Sequence, residues 1–305
     1  MIAGFWRDLR QDSRRVMLGD HDYGTQRVFY LFPQGGGPSG SFTFETFSDM
    51  APHLRSRDIV LLSGVLREQA ITPVGVYDVT IVGAANQPRQ ATNSGVPTGG
   101  GASWLAPTSP VATTPLLQVI EQGWDIQNIQ FAPVAASDCI RFRRMETTTI
   151  PDGSHGRVRG CYFSTGGAAG HGVNLGECKR IVVEDCQFEG LTGAGGTAIR
   201  RSADGGIANT SYCIIQRNIF TGCANDIILA NGTNILVRDN IFEAAVDGAR
   251  KFIQVTGANL FSLNNYFRQV ATAGYSVANG FEGGATDTWR NWVNDAADAI
   301  VANPA

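Results

Sequence analysis

Hydrolysis of a glycosidic bond takes two carboxyl groups about 5 to 9.5 Å apart, and this chain offers few such pairs. Asp185 and Asp239 each stand three residues before a recurring phenylalanine, with Arg217 at the equivalent place between them. An intervening arginine holds both acids ionised, so this set reads as a salt-linked ladder before it reads as a catalytic pair. Asp204, beside Arg200 and Arg201, is the third weak catalytic candidate. Arg143, Arg144, Asp152 and His155 fall in one polar insertion, and Arg200 and Arg201 open another. Arginine beside carboxylate suits sugar hydroxyls or acidic sugars. Trp104 is the one large aromatic of residues 85–112, the longest polar insertion, and is placed either against a ligand or on the body of the fold. His155 and His171 are isolated, each followed by glycine, and read as turn residues. No GxSxG elbow or phosphate loop occurs.

The frame that must hold these residues is a repeat. Phenylalanine recurs at Phe131, Phe163, Phe188, Phe220, Phe242 and Phe267, with gaps of 32, 25, 32, 22 and 25 residues, the mark of a repeat architecture with loops of varied length. Two positions upstream stand Ile129, Cys161, Cys186, Asn218, Asn240 and Asn265, and five upstream stand Ile126, Val158, Val183, Ile215, Val237 and Ser262. Alternate branched apolar residues in runs this short, punctuated by glycine, spell strands. A second apolar run follows most phenylalanines, as at residues 139–142, 173–175, 227–229 and 275–277. Two or three strands in each repeat fit one coil of a parallel β-helix whose coils stack about 4.8 Å apart. Like residues then lie above one another. Asn218, Asn240 and Asn265 form an inward amide ladder, Cys161 and Cys186 continue it as small fillers, and Val182, Ile214, Leu236 and Phe261 form either an outward apolar stripe of the kind that marks an interface or, in another strand register, an inward column.

Residues 1–40 do not share the repeat and read as an N-terminal arm, a possible attachment segment; residues 41–305 form the solenoid with a C-terminal capping tail. Inside the arm, residues 28–32 read as a strand. Phe44, Phe47, Met50 and Leu54 recur near helical spacing, with Ser48 as N-cap and Pro52 in the first turn, and the helix they make would cover the open end of the coil. The insertions at 143–156 and 200–210 follow equivalent strands of nearly successive coils, and the coil between them has only the short link 176–180. Long, short, long at one corner makes a notch. Trp292, twenty-five residues after Phe267, marks a last degenerate coil, and residues 295–302 a short helix or tail.

Composition narrows the function. The net charge is −3, with two lysines against twenty-two arginines and no basic run, which argues against nucleic acid. Six cysteines occur without a CxxC pair or a histidine partner, so they read as reduced fillers; neither a metal nor a cofactor is expected. No stretch is apolar for long enough to act as a signal peptide or to span a bilayer, and folding in a cytosol is the simpler expectation.

On the repeat, the entry segment 47–54 and the segments 57–64 and 79–84, the chain resembles the right-handed parallel β-helix superfamily of pectate-lyase type, over residues 42–295. That shape is shared by polysaccharide lyases, glycoside hydrolases and bacteriophage tailspikes. The resemblance implies an all-β fold, a single-stranded right-handed parallel β-helix with an N-terminal capping helix and arm. A lyase of this superfamily uses a calcium-binding acidic cluster with an arginine or lysine base, and no dense acidic cluster accompanies Asp204, so those sites do not carry over. The leading expectation is a bacteriophage virion protein of tailspike, fibre or surface-decoration type, located in the virion after folding in the host cytoplasm. It would be a homotrimer that meets other virion proteins through its arm and a bacterial surface polysaccharide through lateral loops. The alternatives are a polysaccharide lyase or glycoside hydrolase acting at the notch, and a purely structural scaffold.

Overall fold

The chain turns because one residue at each corner adopts the left-handed conformation. Asn128, Gly160, Asp185, Arg217, Asp239 and Asn264, each just before the asparagine and cysteine column, have φ between 52° and 59°. A second set, Asp78, Gly123, His155, Arg180, Tyr212 and Asn234, has φ between 54° and 75°. Glycine, asparagine and aspartate tolerate that region best, which is why most of these positions carry them. The repeated kinks fold the strands into three sheets in a computed structural model that describes residues 26–33, 35, 40–84, 101–133, 137–143, 153–164, 170–192, 195–201, 210–244, 252–269, 281–283, 286–289, 292–294 and 300–302.

The first sheet stacks Val28–Leu31, Ile59–Leu62, Thr80–Gly83, Asp125–Gln127, Arg157–Arg159, Val182–Glu184 and Ile214–Gln216, then the later halves of the long strands Asn225–Arg238 and Ile253–Leu263. The second runs from Val65–Arg67 through Ser103–Leu105, Gln130–Ala132, Tyr162–Ser164, Gln187–Glu189, Ile219–Thr221, Ile241–Ala244 and Tyr266–Gln269 to Trp292–Asn294. The third comprises Ala70–Ile71, Leu117–Val119, Asp138–Phe142, His171–Asn174, Thr197–Arg200 and the early halves of the two long strands. Pairing between successive coils is parallel throughout the described residues. A right-handed parallel β-helix is thus the observed fold.

Stacking places the phenylalanines face to face. Phe163, Phe188, Phe220, Phe242 and Phe267 follow one another at centroid spacings of 4.7, 5.1, 4.7 and 4.8 Å with planes within 9° of parallel. Those spacings equal the strand separation. Each fully buried ring contributes about 1.5–3 kcal/mol through the apolar surface it removes from water. Beside them runs the amide ladder: Asn218 Nδ2 donates to Asn240 Oδ1 at 3.0 Å and Asn240 Nδ2 to Asn265 Oδ1 at 2.9 Å. Each amide also donates to a main-chain carbonyl of the preceding coil, Val183, Ile215 or Val237. Cys161 and Cys186 imitate the ladder, their thiols donating to Ile126 O and Val158 O at 3.6 Å.

The cap is a four-residue helix, Phe47–Met50, followed by a 3-10 turn, Ala51–His53, that holds Pro52. Its N-cap is Thr46, whose hydroxyl accepts from Asp49 N at 3.1 Å, not Ser48. Ser48 lies inside the helix, where its amide and that of Phe47 donate to the Glu68 carboxylate at 3.0 and 2.6 Å. Phe47 and Met50 are buried under the cap.

Two expectations about the ends change. Val28–Leu31 is no free arm: it pairs in register with Ile59–Leu62, and Asp58 anchors it by taking the Arg27 guanidinium at 2.6 and 3.1 Å. The coil therefore begins before residue 41, while residues 1–25 of the expected arm lie outside the described residues. At the other end Val293, not Trp292, is the partner of Phe267; Trp292 falls on the column of Tyr266. Of the expected helix or tail over 295–302, the described residues 300–302 form an antiparallel strand on Trp292–Asn294. Residues 275–277 lie outside the described residues, and Phe281–Gly283 supplies the strand on Ile253–Val255.

Candidate functional site

Register on the third sheet stacks Gln118, Arg141, Asn174 and Arg200 in one column across four successive coils. The strands are held from the core side by Leu117, Ile140, Val173 and Ile199, all fully buried. Asp138, one coil above its partner His171, reaches along the sheet to two members of that column. Its carboxylate accepts from Arg200 Nε at 2.7 Å and from Asn174 Nδ2 at 2.9 Å. Asn174 Oδ1 in turn accepts from Gly176 N at 2.9 Å, which fixes the amide's orientation. Asp138 is 1% exposed, so these donors take the place of the water it has lost.

His171 completes the cluster. Its Nδ1 accepts from Thr197 N at 3.2 Å, leaving Nε2 to carry the proton. Burial, then the Arg200 charge, push its pKa down to about 4 against the pull of Asp138. The imidazole is neutral at ordinary pH. The glycine after it is required: a Cβ on Gly172 would come within 2.4 Å of Ala198 O and 2.8 Å of the Phe188 ring. His171 is therefore a strand residue, not the turn residue its following glycine suggested.

Arg201 points elsewhere, pairing with Glu177 at 3.3 Å with both side chains under 5% exposed. Arg143 leaves its strand with its amide on Val119 O at 2.9 Å, and its side chain is half-buried. Arg143, Arg200 and Arg201 thus stand at the ends of equivalent strands in the expected long, short, long order, the short link being 176–180. Arg144, Asp152 and Asp204 lie outside the described residues. His155 is exposed at a corner with φ 60°, its Nε2 3.1 Å from an Arg180 terminal nitrogen.

Trp104 belongs to the core, the second of its two expected places. It is fully buried in a second-sheet strand, opposite Phe131, with its indole N–H donating to Glu68 O at 2.9 Å. Its ring lies 6.1 Å from Phe131 and 5.6 Å from Phe47. The expected Asp185–Arg217–Asp239 ladder forms only in its first half. Arg217 grips Asp185 at 2.7 Å and Glu184 at 2.8 Å, while Asp239 meets Arg238 at 3.7 Å. Both acids are 40% or more exposed at left-handed corners that favour their residue type.

A further polar patch occupies the first sheet. Arg159 lies 3.4 Å from Asp125, and Arg157 lies 3.6 Å from Glu184. Burial raises the Asp125 pKa against the pull of Arg159 and Arg157. Below this patch the Asp125–Arg157 column turns apolar, while the Arg159–Glu184 column stays polar through Gln216 and Arg238. Val182, Ile214, Leu236 and Phe261 stack in register, each half-buried, while the next residues, Val183, Ile215, Val237 and Ser262, are fully buried. The stripe faces outward, the first of its two expected registers. Across the corner, Ile219 and Ile241 are more than a third exposed.

All six cysteines are buried and unpaired by disulfides. Among the described residues no three His, Cys, Asp or Glu side chains group as metal ligands, and no helix is long and apolar enough to cross a membrane. Sequence reasoning missed Asp138 as the partner of Arg200, and Asn174 and His171 as its neighbours. The only signal was a charged or amide residue at the edge of otherwise apolar strands.

Several solved structures are similar to the chain. The chain is similar to an alginate lyase from Paenibacillus sp. str. FPU-7, at 13% identity over 80% of this chain and 92% of that one, TM-score 0.44. It is similar to pectate lyase Pel9A, at 12% identity over 88% and 80%, TM-score 0.38. It is also similar to PfbA, a surface adhesin of Streptococcus pneumoniae, at 8% identity over 82% and 83%, TM-score 0.35. No match was found among curated proteins. Residues 123–283, just over half of the chain, match the family described as right handed beta helix region, and the chain belongs to that family.

Proposed function

We propose that the chain is a virion attachment protein of spike, fibre or surface-decoration type that binds a bacterial surface glycan across its third sheet. One observation carries the glycan part: a column of polar side chains, Gln118, Arg141, Asn174 and Arg200, stacks one per coil on a sheet stiffened by a buried core. A polysaccharide is itself a linear repeat. Arg141 and Arg200, half-buried and two coils or about 10 Å apart on a rigid surface, offer its hydroxyls and acidic groups donors already in place, with the buried Asn174 stacked between them. The attachment part is supported by the outward apolar columns at Val182–Ile214–Leu236–Phe261 and Ile219–Ile241. A cyclic homotrimer buries both, with one column of each copy packed on the other column of its neighbour. Assembly onto other virion proteins is assigned to the N-terminal segment, and the location to the virion after folding in the host cytoplasm.

The test is retention of the purified chain by polysaccharides extracted from bacterial surfaces. Saturable binding of at least one is the expected result. Binding of none at high protein concentration leaves a purely structural scaffold.

A second reading, a polysaccharide lyase or glycoside hydrolase, rests on Asp125. Burial raises its pKa against the pull of Arg159 and Arg157, the direction a general acid needs, and Glu184, two coils away, is a second acid about 10 Å off across Arg157 and Arg159. New reducing or unsaturated ends released from a bound polysaccharide, and lost in Asp125→Asn, would establish it.

A further inference from the structure

Two arginines adjacent in sequence are used in opposite ways. Arg201 is closed on Glu177, with side chains 4% and 3% exposed. Arg200 gives only its Nε to Asp138, and its side chain stays 28% exposed while Asp138 is 1% exposed. An arginine whose task was to neutralise Asp138 would be buried with it, as Arg201 is with Glu177. The terminal nitrogens of Arg200 have no further partner among the described residues, and they carry four N–H donors in a planar fork.

The fork is held in place. Asn174 donates to the second oxygen of Asp138 at 2.9 Å and is itself fixed by Gly176 N, so the carboxylate cannot swing and the guanidinium plane it grips cannot turn freely. Among the described residues Arg200 pairs with Asp138 and Arg201 with Glu177, and Arg141 stands in the same column two coils from Arg200, so a second cation backs the fork. His171, against Thr197, is neutral and adds no charge of either sign.

We propose that Arg200 is the receptor for a carboxylate on the bound glycan, making the face selective for a uronate-bearing sugar over its neutral counterpart; this rests on the glycan-binding reading above. The carboxylate takes two parallel hydrogen bonds from the terminal nitrogens. Asp138 and Asn174 are positioning residues that act through Arg200 and do not touch the sugar.

The probes are an oligoglucuronic acid and the oligoglucose made by reducing its carboxyls to alcohols. Binding is followed by ligand-observed NMR on the full chain, which reaches weak affinities. The wild type is expected to bind the acid at least about tenfold tighter than the reduced form. Arg200→Gln removes that preference, and Arg200→Lys restores only part of it because an ammonium lacks the planar fork. Asp138→Asn, which keeps the shape but frees the guanidinium, reduces the preference without abolishing it. Urea midpoints of the variants separate loss of the site from loss of the fold. Equal binding of both probes by the wild type, or an undiminished preference in folded Arg200→Gln, overturns this inference alone. Binding of neither probe and of no surface polysaccharide overturns the glycan-binding reading as well.

Discussion

Replacing Asn240 with alanine tests the ladder at its centre. The Asn240 side chain makes four hydrogen bonds: Nδ2 to Ile215 O at 3.0 Å and to Asn265 Oδ1 at 2.9 Å, with Oδ1 accepting from Asn218 N at 2.9 Å and Asn218 Nδ2 at 3.0 Å. Three of the four groups keep another route: Asn218 Nδ2 still reaches Val183 O, Asn265 Oδ1 still accepts from Asn240 N at 3.1 Å, and Ile215 O lies in the strand ladder. Each of those losses costs about 0.5–1.5 kcal/mol. The Asn218 amide loses its side-chain acceptor at a buried corner, which adds about 1–3 kcal/mol. The variant should therefore lose about 3–5 kcal/mol, because the terms are only partly additive. Cys186→Ala in the same column removes only weak thiol bonds to Glu184 O and Val158 O, at 3.2 and 3.6 Å, and should cost about 1 kcal/mol. Urea unfolding measures both, and amide hydrogen exchange of Asn218 reports the orphaned donor directly. A loss in Asn240→Ala no larger than in Cys186→Ala, with Asn218 exchange unchanged, would refute the ladder as a source of stability.

Four further outcomes follow from the same structure. Trp104→Ala should cost about 3–5 kcal/mol in urea unfolding, because the ring is fully buried between Phe47 and Phe131, and leave glycan affinity of the folded protein unchanged. Glu177→Ala removes the buried carboxylate that Arg201 meets at 3.3 Å and should cost about 1.5–3 kcal/mol by the same measurement. The folded pKa of His171, about 4, lies below its ordinary 6.5, so the unfolded chain binds more protons between those values. Its contribution to stability is complete above pH 6.5 and is lost as pH falls toward 4; His171→Gln should flatten the pH dependence of the urea midpoint in that window. Light scattering after size exclusion should give a trimer for the wild type, and a monomer when Leu236→Asp and Ile241→Asp place charge on both apolar columns.

The fold was largely legible because its determinants repeat. Asn218, Asn240 and Asn265 and the phenylalanines announce a column wherever the spacing recurs, and a residue in a column has its neighbours fixed by the stack. Trp104 escaped because it is tryptophan in a polar stretch, although its place 27 residues before Phe131 fits the phenylalanine gaps. Trp292 misled for the reverse reason, an aromatic one residue off the column. The site was legible only in part. Arg200 could be singled out by its insertion, but its partner Asp138 lies 62 residues away and two coils up, a pairing set by side-chain reach across the sheet that no local pattern encodes. His171 was hidden by Gly172, whose role is to clear Phe188 and Ala198 and not to make a turn. Asp185 and Asp239 drew notice as acids, while their type is set by corners with φ 55°.

The most direct test of glycan binding on the third sheet is amide hydrogen exchange with and without a retained surface polysaccharide. The account predicts added protection confined to Asp138–Phe142, His171–Asn174 and Thr197–Arg200. Protection centred instead on Asp125–Gln127, Arg157–Arg159 and Val182–Glu184, or none on any sheet, would contradict it.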